Sequence, residues 1–450
     1  MIEEIAIQKC IGDIFTENQM LERIRDLCFL GSRFSGTESE KQAQEHLVKF
    51  LVNLNLKPIE WEFEYQGWRR GTCSFQIEDQ KAKDIPAISL VLAPSTLVEG
   101  IEGLIICGAG GSEKELEKIK SEAKEAFLLV HSGNTEEGWL HRRIKYANAV
   151  NIGAKAFIFA NHNPGQLFPT GSVRSNRLGE IPAIGISKEN YSYINELIKL
   201  KGSLKGKIEV SNISEKTVSK HIIWEIEGEN PEEVIVIGGH LDGHDLAQGA
   251  TDNAGGIATL LEITRLFIKY NVKPRRTLRF IAFAVEEFGV VGSTIYANKE
   301  DLQNIVAMVN LDGIVGHIPK HISCNGYGKL CKTILKLKEN LLYEPSISSE
   351  IVSASDNYPF FCKGIPSLCI YGENPDPKLG RGYGHTSADT FDKIDPLDAK
   401  LSLAFALVFI SHFSNIERLP EKLAQREIIE ILQNNKLEEN LKILEKWPFK

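Results

Sequence analysis

The stretch that decides the fold is EEVIVIGGHLDGHDLAQGATDNAGGIATLLEITRLFIKY, residues 232–270. Val234, Ile235, Val236 and Ile237 form an unbroken apolar run of the kind found in strands buried on both faces. From Ile257 onward, Leu260, Leu261 and Ile263 fall at helical spacing. Between the two lies a glycine-rich loop that carries His240, Asp242, His244, Asp245 and Asp252. A strand that runs through such a loop into a helix is the repeating unit of a parallel sheet. The loop itself is either a polar surface turn or a cradle for a metal, and the rest of the chain has to choose.

The same pattern recurs downstream. TLRFIAFAV (277–285), IVAMVNL (305–311) and IPSLCIYG (365–372) are apolar runs of the same type, separated by helical stretches. This alternation predicts an α/β fold with a mostly parallel central sheet covered by helices, in which ligands bind beyond the carboxyl ends of the strands. Each strand then delivers a candidate ligand to one edge. VIVIGG ends in His240 and Asp242, TLRFIAFAV in Glu286 and Glu287, IVAMVNL in Asp312, and IPSLCIYG leads to His385 in GYGHTSADT. Asp252 stands just before the helix at 255, where it would cap the N-terminus and still present an oxygen to that edge.

Two His, two Asp and one Glu give five nitrogen and oxygen ligands without a thiolate. That set suits a pair of zinc-like ions roughly 3.5–4 Å apart, bridged by a carboxylate. Such ions acidify a water and polarise a carbonyl, so amide hydrolysis is the natural reaction. A further carboxylate must move the water's proton to the leaving amine, and Glu286, next to a ligand, is the candidate. Asp242, two residues past His240, is placed to accept the other ring N–H of that imidazole and fix its tautomer. His244 and Asp245, four and five residues past the strand end, read as loop residues outside the ligand set. His317 reads likewise, and His46, His131, His162, His221, His321 and His412 read as structural.

Composition narrows the remaining choices. At 450 residues the chain is too long for one ordinary core. A net charge of −8 leaves no electrostatic footprint for nucleic acid. No run of roughly 18 apolar residues suggests a membrane span, and MIEEIAIQKCIGDIF lacks the marks of a signal peptide, so a cytoplasmic location is expected. The eight cysteines show no CxxC pairs and read as free thiols, the repeated spacing of Cys324 with Cys331 and Cys362 with Cys369 included. The chain divides into residues 1–85, a first part of the main domain; 86–213, a self-contained small α/β unit for recognition or shielding; 214–418, the rest of the main domain with the candidate metal site; and 419–450, a helical extension. In the first part, Ala43, Leu47, Phe50, Leu51 and Leu54 mark an amphipathic helix. In the extension, Leu423, Ile428, Leu432, Leu437, Leu441 and Leu444 form an apolar stripe that would cap the sheet or make a homo-oligomer contact.

HLD, GATDN, AVEEFGVVGS, NLDG and GHTSADT, in that order, resemble the motifs of the M28 family of co-catalytic zinc aminopeptidases. Residues 240, 252, 287, 312 and 385 keep the family's spacing, and the resemblance extends to GSRFSGT (31–37) and SDNYPFFCKGIPSL (355–368), most of residues 20–416. Residues 86–213 resemble the protease-associated (PA) domain that many members carry ahead of the HxD motif. The resemblance implies two Zn2+, with Co2+ or Mn2+ as substitutes: His240 and Asp312 on one, Glu287 and His385 on the other, Asp252 bridging, Glu286 the general base and Asp242 the partner of His240. It also implies an aminopeptidase acting on peptides. The loop is similar as well to the carboxypeptidase and dipeptidase branch of the family, and recognition of a substrate carboxylate would then fall to Arg381 or Lys378. The M20 hydrolases share the ligand order but place their extra domain after the EE pair, whereas here it precedes HLD. A non-enzymatic, receptor-like relative is the remaining reading, and it gives no reason to keep five ligands together with Glu286. The chain departs from the family at Asn357, where His is common, and at Tyr383, which Gly384 separates from His385; Tyr383 and Tyr358 are the candidates for contacting substrate.

Overall fold

The computed structural model describes residues 2–79, 81–373 and 382–449. Four strands form the parallel centre of the sheet, in the spatial order Arg276–Phe283, Asn230–His240, Ile305–Leu311 and Ser367–Glu373. Their buried faces explain the unbroken apolar runs: Val236, Ile281, Met308 and Phe283 pack on one side and Ile235, Ile237, Val309 and Phe280 on the other. His317–Ser323 adds an antiparallel strand beyond Ser367–Glu373.

On the opposite side, Lys205–Ile226 pairs antiparallel with Arg276–Phe283 and, along nearly its whole length, with Ile59–Asp79. This long two-stranded ribbon leaves the main sheet and enters a second one. There, Ile101–Cys107, Phe127–His131, Ala156–Ala160 and Ala183–Ile186 lie parallel, so one hydrogen-bonded sheet runs through both units. The two share contacts as well as backbone. Phe34 and Phe288 from the main unit pack in one cluster with Tyr146 and Phe157 from the smaller one.

Helices cover the main sheet. Gly255–Lys269 is buried along most of its length, and Pro396–Asn415 packs against it. The latter is the one described helix long and apolar enough to cross a membrane, but 72% of its apolar window is buried inside the fold, which accounts for its composition without a lipid. Glu38–Asn53 turns Ala43, Leu47 and Leu51 inward behind a Thr37 N-cap.

The extension forms two helices, Gln425–Asn434 and Glu438–Ile443. Of the two uses expected for its apolar stripe, capping the sheet and an oligomer contact, the packing fits the first. Leu423, Ile428, Leu432 and Leu441 join the main core, so these residues of the stripe are covered by the chain itself. The extension also touches the smaller domain, where Arg177 is paired with both Glu180 and Glu445.

Candidate metal centre

The strand Asn230–His240 ends at its last residue in a buried imidazole. His240 Nε2 lies 3.1 Å from Asp252 Oδ1 and 3.5 Å from Asp312 Oδ1. On the other side of Asp252, its Oδ2 lies 3.3 Å from His385 Nε2, which is also 3.3 Å from Glu287 Oε2. Asp252 thus stands between two histidines, each of which faces a second carboxylate. Around one ion with bonds of about 2.0–2.1 Å, tetrahedral ligands sit roughly 3.3 Å from each other, which is the spacing seen here.

Asp252 is not held there as a helix cap. The helix at Gly255 has no side-chain cap from it, and Asn253 takes that part, accepting from Gly256 N at 3.2 Å. Asp252 has φ −120° and ψ 85°, outside the helical region, so its side chain turns toward the histidines. The carboxylate of Asp389 fixes this turn by accepting from Thr251 N and Oγ1 (both 2.8 Å) and Asp252 N (3.1 Å). Gly256 is required by the same arrangement: a Cβ there would lie 2.3 Å from Asn253 Oδ1.

Asp242 acts differently from the expectation. His240 Nδ1 meets the backbone carbonyl of Asp242 at 2.8 Å, while the nearest carboxylate oxygen is 3.9 Å away. The carboxylate instead accepts from Glu286 N and Glu287 N, both at 3.1 Å, and from Ser35 Oγ. It therefore pins the end of the neighbouring strand, where Val285 adopts φ +64°, a costly conformation for a β-branched residue. That turn presents two successive glutamates to one site.

The electrostatics of the pair diverge. Burial pushes the Glu286 carboxyl well above its ordinary range, and Glu287, Asp356 and Asp312 add to this against the pull of His240. For Glu287, burial acts the same way, but His244 and His385 outweigh it and hold the group well below its usual range. Burial opposes a charge on His240 as well, yet Asp252 and Asp312 raise it well above an ordinary imidazole. Asp312 is steadied by Ser355 Oγ, itself held by Asn310.

The donor set of this cluster suits a cation. Glu287 Oε1 and both ring nitrogens of His244 are buried without a hydrogen-bond partner, and nitrogen and carboxylate oxygen are the donors that zinc-like ions take. Two groups of three converge within 4.8 Å: His240, Asp252 and Glu287, and His244, Glu287 and His385. The second group corrects the reading of His244 as a residue outside the cluster. It is 4% exposed and its Nε2 is 2.7 Å from Glu287 Oε2. Position alone hid it, because the loop after Asp242 folds back over the sheet edge. Asp245 does stay apart, in a two-point ion pair with Arg70 of the ribbon.

Two more residues were silent in the sequence. Arg33, fully buried, donates to the carbonyls of Leu241, Gln248 and Gly249 and so ties both ends of the His240–Asp252 loop. Arg143 comes from the smaller domain, bonds Ser172, and has Glu286 and Glu287 as the acids that sustain its charge. The same domain supports the site backbone: Ser172 Oγ donates to Glu287 O, and Thr170 N to His385 O.

Of the residues proposed to touch substrate, Tyr358 is 3% exposed and donates to Lys446 O, which turns it toward the extension rather than the metal cluster. Tyr383 is exposed, with Lys393 over its ring. Arg381 and Lys378 lie outside the described residues. A cation near the glutamates comes instead from the extension: Lys446 Nζ donates to Ser353 O at 2.7 Å, and Glu286 and Asp356 are among the charges acting on it. Burial, followed by Arg143, pushes its ammonium down to about 7. Lys446, Trp447, Tyr358 and Val291 line a cavity of about 760 Å³ beside the site.

Known proteins share this arrangement of domains. Residues 221–409 match the profile of Peptidase family M28, and residues 96–194 that of the PA domain. Carboxypeptidase Q of Xenopus laevis is 26% identical over 388 residues, 83% of this chain and 81% of its own. Aminopeptidase YwaD of Bacillus subtilis is 24% identical over 379 residues, 81% and 77%. The fold is that of the peptidase M28 precursor from Shewanella amazonensis, which superposes with a TM-score of 0.80 at 21% identity, covering 94% of this chain and 99% of that one. Residues 221–409, which bear most of the candidate metal centre, match peptidase family M28, and a PA domain lies ahead of them.

Proposed function

We propose that the protein is a metal-dependent exopeptidase that removes N-terminal residues from peptides, with two zinc ions held by His240, Asp312, Glu287 and His385 and shared by Asp252. The observation that carries this reading is the convergence of these five side chains, from three strand ends and two loops, at 3.1–3.5 Å. When bound, such ions polarise the scissile carbonyl and acidify a water. Glu286 takes the proton of the attacking water and returns it to the nitrogen of the leaving amine. Asp242 holds Glu286 and Glu287 in register through their backbone N–H groups. The carboxylates of the cluster also offer a counter-charge for the substrate's α-ammonium. The names of the aminopeptidase relatives support this reading.

A second reading, cleavage of short peptides recognised by their C-terminal carboxylate, is favoured by Arg143 and by Lys446 in its protonated form, two basic groups whose charges act on Glu286. The carboxypeptidase Q relatives support it. A free dipeptide, an amino-acid anilide and an N-acetylated peptide, each assayed with and without chelator and restored zinc, separate the two. Chelator-sensitive cleavage of the anilide but not the acetylated peptide supports the aminopeptidase, and cleavage of the dipeptide alone supports the second reading. No metal-dependent cleavage of any refutes both.

A further inference from the structure

His244 has no task in the mechanism above, yet it sits inside the cluster. It is buried on the same loop as His240, and its ring centroid is 4.2 Å from that of His385, edge to face. Nδ1 makes no hydrogen bond, and Nε2 meets only the carboxylate of Glu287. Leaving a buried polar group unpaired costs roughly 1–3 kcal/mol, which few interiors tolerate without a partner of another kind. Nε2 points to that partner. It lies 2.7 Å from Glu287 Oε2 without hydrogen-bond geometry, and the ligand atoms of His244, Glu287 and His385 all fall within 4.8 Å of one another. Two ligands at right angles on one ion, with bonds of about 2.0–2.1 Å, would be roughly 2.9 Å apart, close to this separation.

We infer that His244 is a sixth protein ligand, binding through Nε2 the ion held by Glu287 and His385. The inference rests on the two-metal reading and makes the two positions unequal. One ion has a single imidazole, from His240, and the other has two. Arg70 fixes the loop for this purpose, since its two-point ion pair with Asp245 anchors the residue next to His244. The imidazole-rich position favours zinc or cobalt over manganese, which prefers oxygen ligands. Manganese therefore loads the His240 position in preference to the other.

The test is cobalt titration of the full-length apoprotein followed by proton NMR in water. Each imidazole bound to Co(II) gives one strongly shifted, exchangeable N–H resonance. Three such resonances at two equivalents of cobalt are expected. His244→Phe removes one of them and weakens one of the two cobalt sites by about 100-fold or more, leaving the other within a factor of a few. His244→Asn, checked for native circular dichroism, serves if the phenylalanine variant does not fold. Two equivalents bound with only two resonances, or three resonances surviving the substitution, would overturn the assignment and leave the two-metal reading intact. Fewer than two equivalents bound by the native protein would overturn both.

Discussion

Replacing Arg33 by Met should loosen the loop of the candidate metal centre before it unfolds anything else. The guanidinium is fully buried and donates to the carbonyls of Leu241 and Gly249 at 2.9 Å and of Gln248 at 2.5 Å, with Asp389, Asp242 and Asp252 as its counter-charges. Hydrogen bonds from a charged donor contribute roughly 1.5–3 kcal/mol each, and the methionine would also leave Gln248 O without this donor. Burial of the charge offsets part of this, so the net loss is about 3–5 kcal/mol. The loss is concentrated in residues 241–249, whose opening free energy falls by nearly that amount. Amide exchange there should speed up by a factor of about 10³, measured by mass spectrometry on the metal-free protein. Arg33→Lys keeps a charge but not the planar fork, and should restore less than half of the protection. If Arg33→Met exchanged within a factor of five of the native protein across this loop, the clamp would be an incidental contact and the reasoning wrong.

Other positions give equally direct outcomes. Glu40 is buried, and desolvation raises its carboxyl to about 8 from the ordinary 4.5, despite hydrogen bonds from Ser219 and Gly36. Below pH 4.5 the group is protonated in both states and has no effect; between 4.5 and 8 only the unfolded chain releases the proton, so stability falls, and above 8 the full cost of about 3–5 kcal/mol remains. Glu40→Gln should thus match the native protein in urea unfolding at pH 4 and exceed it at pH 9; a gap that does not grow with pH contradicts this. Asp389→Asn weakens the support of Asp252 and should lower affinity for zinc by roughly 10–100-fold by competition with a chelating dye, with an unchanged affinity counting against it. Lys446→Met should raise KM for a free dipeptide by roughly 10–100-fold relative to its effect on the matching anilide if the ammonium meets a substrate carboxylate. An equal effect on both would make it a structural lysine.

The parallel sheet was legible because its central strands are buried on both faces and so appear as unbroken apolar runs. The candidate ligands His240, Glu287 and Asp312 were legible because the topology places them at strand ends, where a shared site explains the three together. What the sequence hid depends on the path of loops. Asp242 was read for its carboxylate, but its carbonyl meets His240, since a side chain two residues on turns to the neighbouring strand instead. Asn253, not Asp252, caps the helix because the chain leaves helical geometry between Asp252 and Asn253. His244 sits off the strand end, and only the fold of a loop clamped by Arg33 and Arg70 brings it back. The apolar stripe of the extension was visible, but not which surface covers it. Arg143 and Lys446 approach Glu286 from a different domain and from the chain's last turn, a proximity with no local signature.

The most direct test of the central claim is metal content and turnover of Glu286→Gln beside the native protein. The account predicts that the variant binds zinc with native stoichiometry and affinity, since Glu286 is not a ligand, while kcat falls by roughly 10²–10⁴-fold or more for want of its proton carrier. Full activity in the variant, or a loss of activity that follows a loss of metal, would contradict it.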